Sequence, residues 1–169
     1  MKILNPVRIA PLVLLLAYPS LGLPPAFAGD DDHAAVLELG GAGEWGLQDG
    51  KTSLGPSVAV EVTPIEHWLE IEAGITPLRS RDGTEWETDL VFKKPFQLSK
   101  TVEMMVGAGP QWSSTSALSA VTVLDFMIWT TPQVGWFVEP SYSYGLSHGH
   151  PQSLAVNVGL LIALGGHHD

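Results

Sequence analysis

The strongest constraint in this sequence is a regular alternation of side chains over residues 153–164, which read SLAVNVGLLIAL. Every second residue from Leu154 to Leu164 is a large aliphatic, whereas the intervening positions are small, polar or mixed. Because successive side chains of a strand point to opposite faces, the segment predicts a strand with one continuous apolar face. Such a pattern over about a dozen residues is typical of a bilayer-crossing strand in a closed barrel.

The first 28 residues predict a cleaved signal peptide. Lys2 and Arg8 precede a short apolar core at residues 10–17, and the AFA tripeptide at residues 26–28 is a small-x-small cleavage site. The apolar core is too short to span a membrane. We therefore expect an exported protein that begins near Gly29.

The predicted mature chain, residues 29–169, is a single beta-barrel domain of about 141 residues. Loss of Lys2 and Arg8 with the leader moves the formal net charge from -10 to about -12. This acidity argues against nucleic acid as a partner, because phosphate binding needs a basic face. Cysteine is absent, so we expect stabilisation by burial and backbone pairing, as in a bacterial envelope protein.

Alternating runs of about nine to thirteen residues recur along the chain, separated by turns rich in Gly, Pro, Ser and Asp. In one of them Val58, Val60 and Val62 oppose Glu61. The predicted strands are residues 35–47, 54–63, 68–78, 84–96, 101–112, 118–130, 134–144 and 153–164. The predicted fold class is all-β: a single eight-stranded antiparallel up-and-down barrel of the transmembrane type.

The connections between predicted strands are of two kinds. The first, third, fifth and seventh are polar and short, whereas the second, fourth and sixth carry a proline in the connection or close to a strand end: Pro64, Pro95 and Pro132. Proline lacks the backbone donor that a ladder needs, so we expect these residues where pairing stops. With an even strand number both termini lie at one end, which we expect to face the periplasm.

Aromatic residues of the apolar face lie at the ends of the predicted strands. Phe96 and Trp136 lie at the ends opposite to the other rings. Girdles of amphipathic rings at both interfaces are expected of a lipid-facing surface. The predicted membrane-interface aromatics are Trp45, Trp86, Trp112, Trp136, Tyr142 and Tyr144.

Carboxylates share the opposite parity, which we expect to face the barrel interior. Glu38 has this parity as well, and Lys93 is the only clear base on it. The predicted lumen carboxylates, a candidate cation site, are Glu61, Glu70, Glu72, Glu87, Asp89, Glu103, Asp125 and Glu139. Burying unpaired charges costs several kcal/mol each, so protonation, hydrogen bonds or bound cations must offset them. A hydrated polar plug and a cation site or narrow cation path both fit, but eight strands leave no porin-like channel.

Two further features of the sequence bear on possible chemistry. His148 and His150 have a spacing that brings two imidazoles together, so they are candidate metal ligands, although surface histidines without a metal are the simpler interpretation. GxSxG, cysteine and a phosphate-binding glycine loop are all missing, and the paired carboxylates lack a cleft. We therefore predict neither enzymatic activity nor a cofactor.

The strings GPSVAVEVTP, EAGITPL, LVFKKPF, MMVGAGPQW and GWFVEPSYSYG resemble strands of the small outer-membrane beta-barrel proteins of Gram-negative bacteria. The resemblance covers the mature chain and implies an architecture rather than an activity. It implies the bacterial outer membrane as location, and outer-membrane lipids and the barrel assembly machinery as partners. One departure is that the last predicted strand ends at Leu164, where such barrels commonly end on an aromatic residue.

These patterns together predict a non-enzymatic outer-membrane barrel, most simply a monomer, with a structural or interaction role in the cell envelope. Two alternatives stay open. One is a narrow small-cation pore or cation-binding barrel. The other is a soluble periplasmic lipocalin-like carrier, whose apolar face would surround a ligand and whose acidic face would be exposed.

Overall fold

The computed structural model describes residues 35–115, 117–147 and 149–165. Most of these residues lie in β-strands. The strands are β1 (Ala35–Gly46), β2 (Thr52–Ile65), β3 (Leu69–Ser80), β4 (Gly83–Gln97), β5 (Val102–Ser113), β6 (Ala117–Trp129), β7 (Val134–Gly145) and β8 (Gln152–Leu164). All eight predicted strands are found, with bounds that agree to within two residues. The predicted signal peptide at residues 1–28, His148 and the C-terminal histidines lie outside the described residues.

Each strand pairs antiparallel with its neighbours in sequence, and β8 pairs with β1 to close the barrel. This closing seam is continuous from Ala35 opposite Leu164 to Gly46 opposite Ser153. The start of β1, the end of β8 and the turns after β2, β4 and β6 therefore lie at the same end of the barrel. We call it the terminal end. The turns after β1, β3, β5 and β7 lie at the far end. The predicted closed up-and-down barrel is confirmed.

The apolar face of each strand points out of the barrel. Val58, Val60 and Val62 are exposed on the outside of β2, whereas Glu61 between them is 2% exposed. The same alternation runs along β8, where Leu154 and the other large aliphatics of the outer parity are largely exposed. The lipocalin-like alternative is therefore wrong about sidedness, because it required apolar side chains inside and carboxylates outside.

No helix within the described residues is both long and apolar enough to cross a membrane.

Prolines inside strands coincide with gaps in the backbone ladders. The β2–β3 ladder is interrupted beside Pro56 and Pro77, the β4–β5 ladder beside Pro110, and the β6–β7 ladder beside Pro140. Proline has no N–H to donate, so pairing is interrupted around each of these residues. The other neighbour of each strand pairs continuously through the same residue, which keeps the barrel closed.

The prolines expected at strand ends lie where one side of the pairing stops. Pro64 is beyond Glu61, the last β2 residue paired with β1, and Pro95 is beyond Lys93, the last β4 residue paired with β3. Pro132 lies in the turn between β6 and β7.

Two glycines at the seam make space for an aromatic ring inside the barrel. Gly40 and Gly159 are partners across β1 and β8. A Cβ at Gly40 would lie 3.0 Å from Cζ of Phe137, and one at Gly159 would lie 2.7 Å from Cε1 of the same ring. The ring belongs to an apolar cluster near the terminal end, formed by Val36, Met105, Met127, Phe137 and Leu161. A small residue at position 40 therefore admits a bulky inner side chain.

Candidate functional site

Lys93 of β4 places a buried ammonium in the middle of a group of carboxylates. Its Nζ lies 2.9 Å from Oδ2 of Asp125 on β6, 3.0 Å from Oε2 of Glu139 on β7 and 3.3 Å from Oε2 of Glu61 on β2. It also forms an ion pair with Glu72 of β3. Lys93 is the only lysine or arginine that is buried among the residues the structure describes. These contacts join five strands through one side chain.

A glycine on the next strand allows the lysine to reach this position. Lys93 pairs with Gly107 of β5, where a Cβ would lie 2.8 Å from Cγ of Lys93. The lysine stem thus crosses a surface that carries no side chain. The side chains of Lys93 and Asp125 are then completely shielded from solvent.

The carboxylates outnumber the ammonium in this cluster. Glu38 of β1 joins Glu61, Glu72 and Asp125 in a group whose oxygens lie within 4.8 Å of one another. With Glu139, five buried carboxylates surround one lysine. Because a buried charge without a partner costs several kcal/mol, one ammonium does not balance this group. We name these five carboxylates and Lys93 the Lys93 cluster.

A small cavity of about 20 Å³ adjoins the Lys93 cluster. The polar residues lining it include Glu38, Ser57, Glu72, Asp89, Glu139 and Asn157. Three buried oxygens here have no hydrogen-bond partner: Oε1 of Glu38, Oγ of Ser57 and Oδ1 of Asn157. Nδ2 of Asn157 donates to Oε1 of Glu139 at 3.3 Å, which leaves its own oxygen unused. The cavity is large enough for one water molecule or a bare ion.

A larger pocket of about 400 Å³ opens at the far end. Glu44, Glu85 and Glu87 line it. Nε2 of Gln111 donates to Oε2 of Glu87 at 3.1 Å, and Ser143 donates to Oε1 of Gln111 at 2.6 Å. Ser113 and Thr115 donate to Glu85. The pocket is acidic, and hydrogen bonds from neutral side chains hold its carboxylates.

Glu44 was not among the predicted lumen carboxylates, although its parity on β1 matches that of Glu38. It contacts Ser153 and Glu87 inside the far-end pocket. The parity of β1 alone is sufficient to find it.

An ion pair between two turns lies at the rim of this pocket. Nζ of Lys51 lies 2.7 Å from Oδ2 of Asp82, and both residues line the pocket. Their hydrogen bond and charge attraction raise the pKa of Lys51 and lower the pKa of Asp82 from their ordinary values. The pair connects the first and third turns of the far end.

The remaining predicted lumen carboxylates do not contact Lys93. Asp89 lies over Gly74, its β3 partner, and lines the small cavity. Glu70 and Glu103 lie at the starts of β3 and β5, near the terminal end. The structure thus divides the predicted set among the Lys93 cluster, the small cavity beside it, the far-end pocket and the terminal end.

The predicted interface aromatics lie at the two ends of the outer surface. At the far end Trp45 is 56% exposed, and Tyr142 donates its hydroxyl to Oε1 of Gln152 at 3.0 Å. Trp86, Trp112 and Tyr144 also lie at the far end, and Trp136 lies at the terminal end. Trp68, which was not predicted, adds an exposed ring in the turn after β2.

His150 makes contacts within its own turn. Its Nδ1 lies 3.1 Å from the carbonyl oxygen of Gly145, and its ring stacks on Tyr144 with 5.4 Å between centroids. His148, the other candidate metal ligand, lies outside the described residues.

The sequence matches no known protein family and no curated protein. Solved structures with the same fold include Neisserial surface protein A, with a TM-score of 0.65, 12% identity and coverage of 78% of this chain and 97% of that one. The N-terminal beta-barrel domain of OprF from Pseudomonas aeruginosa gives a TM-score of 0.52, 13% identity and coverage of 75% and 97%. A de novo designed transmembrane beta-barrel gives a TM-score of 0.56, 10% identity and coverage of 78% of this chain and 96% of that one. The chain has the eight-stranded fold of small Gram-negative outer-membrane barrels, which confirms the predicted fold class.

Proposed function

We propose that this protein is a non-enzymatic barrel of the bacterial outer membrane, with a structural or interaction role in the envelope and an interior through which ions do not pass. The observation that carries the proposal is the reversed sidedness of the barrel. Aliphatic side chains cover the outside, and charges lie inside around Lys93. Only a hydrocarbon environment makes such an outer surface favourable.

The likeness to barrels from bacterial outer membranes supports this location. In this proposal outer-membrane lipids surround the aliphatic surface, and the rings at both ends lie at the level of the headgroups. The signal peptide exports the chain, the barrel assembly machinery inserts it as a monomer, and the terminal end faces the periplasm.

The packing of the interior favours a closed barrel over the small-cation pore. A water-filled path would leave its wall accessible to water, but Lys93 is 1% exposed and Asp125, Val91, Met105 and Leu161 are 0% exposed. On the terminal side of the Lys93 cluster lies the apolar cluster around Phe137. An ion would have to displace both layers and lose its hydration there.

Cell fractionation and planar-bilayer recording test the two parts of the proposal. The mature chain should be recovered in the outer-membrane fraction with heat-modifiable gel migration, and it should give no steps of conductance. Recovery as a soluble periplasmic monomer would contradict the membrane location. Cation-selective steps that decrease in the Glu70→Gln, Glu72→Gln double variant would support the pore instead.

A further inference from the structure

We infer that the small cavity beside Lys93 binds one divalent cation, with Ca²⁺ as the ion that suits its chemistry. The inference goes beyond the envelope role, since it concerns what neutralises the buried carboxylates of the barrel interior. It rests on three observations: an excess of buried carboxylates, buried oxygens without partners, and a cavity of the size of one ion.

The charge balance indicates a cation. The Lys93 cluster holds five buried carboxylates and one ammonium, and Asp89 adds a further carboxylate at the cavity wall. A divalent ion would supply two positive charges within one cavity, which a single monovalent ion does not. Opposite charge at close range is the strongest available compensation in an interior from which water is excluded.

The unpartnered oxygens indicate where the ion binds. Glu38 is 3% exposed and Ser57 is 8% exposed, yet Oε1 of Glu38 and Oγ of Ser57 have no hydrogen-bond partner. Both residues line the cavity, as does Asn157, whose Oδ1 is unpartnered as well. Ser57 and Asn157 are neutral, so their unused oxygens are independent of the excess of acids. Buried polar atoms are almost always satisfied in folded proteins, and an ion in the cavity that all three residues line would supply the missing partner.

The donor set favours Ca²⁺ among the divalent cations. Carboxylate, hydroxyl and amide oxygens are ligands for hard cations, and the cavity presents all three kinds. Mg²⁺ loses its water reluctantly and usually keeps several molecules, for which about 20 Å³ has no room. Ca²⁺ accepts irregular geometry and many protein oxygens.

Partly buried carboxylates of β4 lie between the small cavity and the far-end pocket. Asp89, which lines the cavity, is the next inward residue after Glu87 on β4, and Glu87 lines the far-end pocket. Both side chains are only partly buried. An ion entering the acidic far-end pocket therefore has carboxylates along the way to the cavity.

Calorimetric titration of the refolded mature barrel in detergent with CaCl₂, after chelator treatment, tests this site. The wild type should bind one Ca²⁺ per barrel, and added Ca²⁺ should raise its unfolding midpoint. Ser57→Ala and Glu38→Gln should each weaken Ca²⁺ binding at least tenfold, because loss of groups that only support metal ligands already costs about 10–100-fold. MgCl₂ should bind more weakly than CaCl₂.

Glu87→Gln is the matched control, since Glu87 lines the far-end pocket and not the cavity, and an equilibrium affinity does not depend on the route by which the ion enters. The Ca²⁺ affinity of this variant should stay within about threefold of the wild-type value. That change is smaller than the loss expected when a group that supports a metal ligand is removed. The absence of Ca²⁺ binding to the folded wild type, or binding lost in Glu87→Gln but kept in Ser57→Ala, would overturn the inference. Heat-modifiable migration verifies folding of every variant. Since binding is measured in detergent, its failure is distinct from a failure of the fractionation or conductance tests.

Discussion

Lys93 and Asp125 join two strands that do not pair with each other: Nζ of Lys93 on β4 lies 2.9 Å from Oδ2 of Asp125 on β6. The contact crosses the barrel interior above β5, where Gly107 carries no side chain. Together with Glu61, Glu72 and Glu139, it makes one ammonium the common partner of carboxylates from four strands. The stability of the barrel should therefore depend strongly on this lysine.

Lys93→Met should reduce the free energy of unfolding by about 3–5 kcal/mol, because it leaves buried carboxylates without their cation. Equilibrium unfolding in urea, from detergent or vesicles, measures the loss. The control is Lys94→Met, since Lys94 lies at the terminal end and donates to the carbonyl oxygen of His67. It should cost less than about 1 kcal/mol. Equal losses in the two variants would show that the interior carboxylates do not need the ammonium.

Gly40→Ala should destabilise the barrel by about 1–3 kcal/mol through overpacking. The new Cβ would lie 2.5 Å from the carbonyl oxygen of Val158, which as backbone cannot rotate away, and 3.0 Å from the Phe137 ring. Gly41→Ala is the control, because its Cβ would meet Gly55 O at 3.7 Å, an ordinary contact. Thermal unfolding followed by gel migration distinguishes the two, and indistinguishable transitions would contradict the seam packing described above.

Val158→Arg should cost about 2–4 kcal/mol in vesicles, because a charge on the lipid face is most unfavourable at the bilayer midplane. Val158 lies at the middle of β8 and is 49% exposed on the outside. Leu54→Arg, near the far end of β2, should cost only about 0–1 kcal/mol. Unfolding titrations in vesicles measure both values. If the costs do not depend on depth, the outer surface does not face lipid as proposed.

Lys51→Met should return the pKa of Asp82 upward toward its ordinary value, because the hydrogen bond and charge of Lys51 hold it lower. In the wild type, the depressed pKa of Asp82 means that its contribution to stability is present above its ordinary pKa and is lost as pH falls through the folded value. Because the pKa of Lys51 is raised in the folded protein, the contribution of Lys51 to stability is present below its ordinary pKa and is lost as pH rises through the folded value. NMR titration of the Asp82 carboxyl in both proteins measures the change. An unchanged pKa in the variant would exclude the pair in solution.

Much of the fold was predictable because strand parity is a local property. For β4, the predicted residues 84–96 compare with Gly83–Gln97 in the structure. The inward position of Glu61 or Glu139 follows from the alternation of a single strand. The polar turns mark where each strand ends, so the number of strands could also be predicted from the sequence.

The arrangement of the interior was less predictable. The parity of a residue shows that its side chain points inward, but it shows neither the position of that side chain along the barrel axis nor which side chain it contacts on another strand. That Lys93 meets Glu61 and Glu139 depends on the register of every intervening strand. The alternation in the sixth predicted strand, residues 118–130, is less regular than in the others for a similar reason. Val121 and Val123 share the inward face with Asp125 because they pack on Val91 of β4, which no local pattern in β6 reveals.

The Lys93 cluster also bears on how the barrel is assembled. Its acidic members come from β1, β2, β3, β6 and β7, so a sheet that lacks either half cannot complete it. A partly formed sheet would present these charges to its surroundings, which is unfavourable in lipid. Contacts between residues so distant in sequence are gained only when the sheet curves into a ring, which makes its formation cooperative. Charge compensation and strand closure are then a single event, and an open sheet inside the bilayer is a high-energy state rather than a stable intermediate.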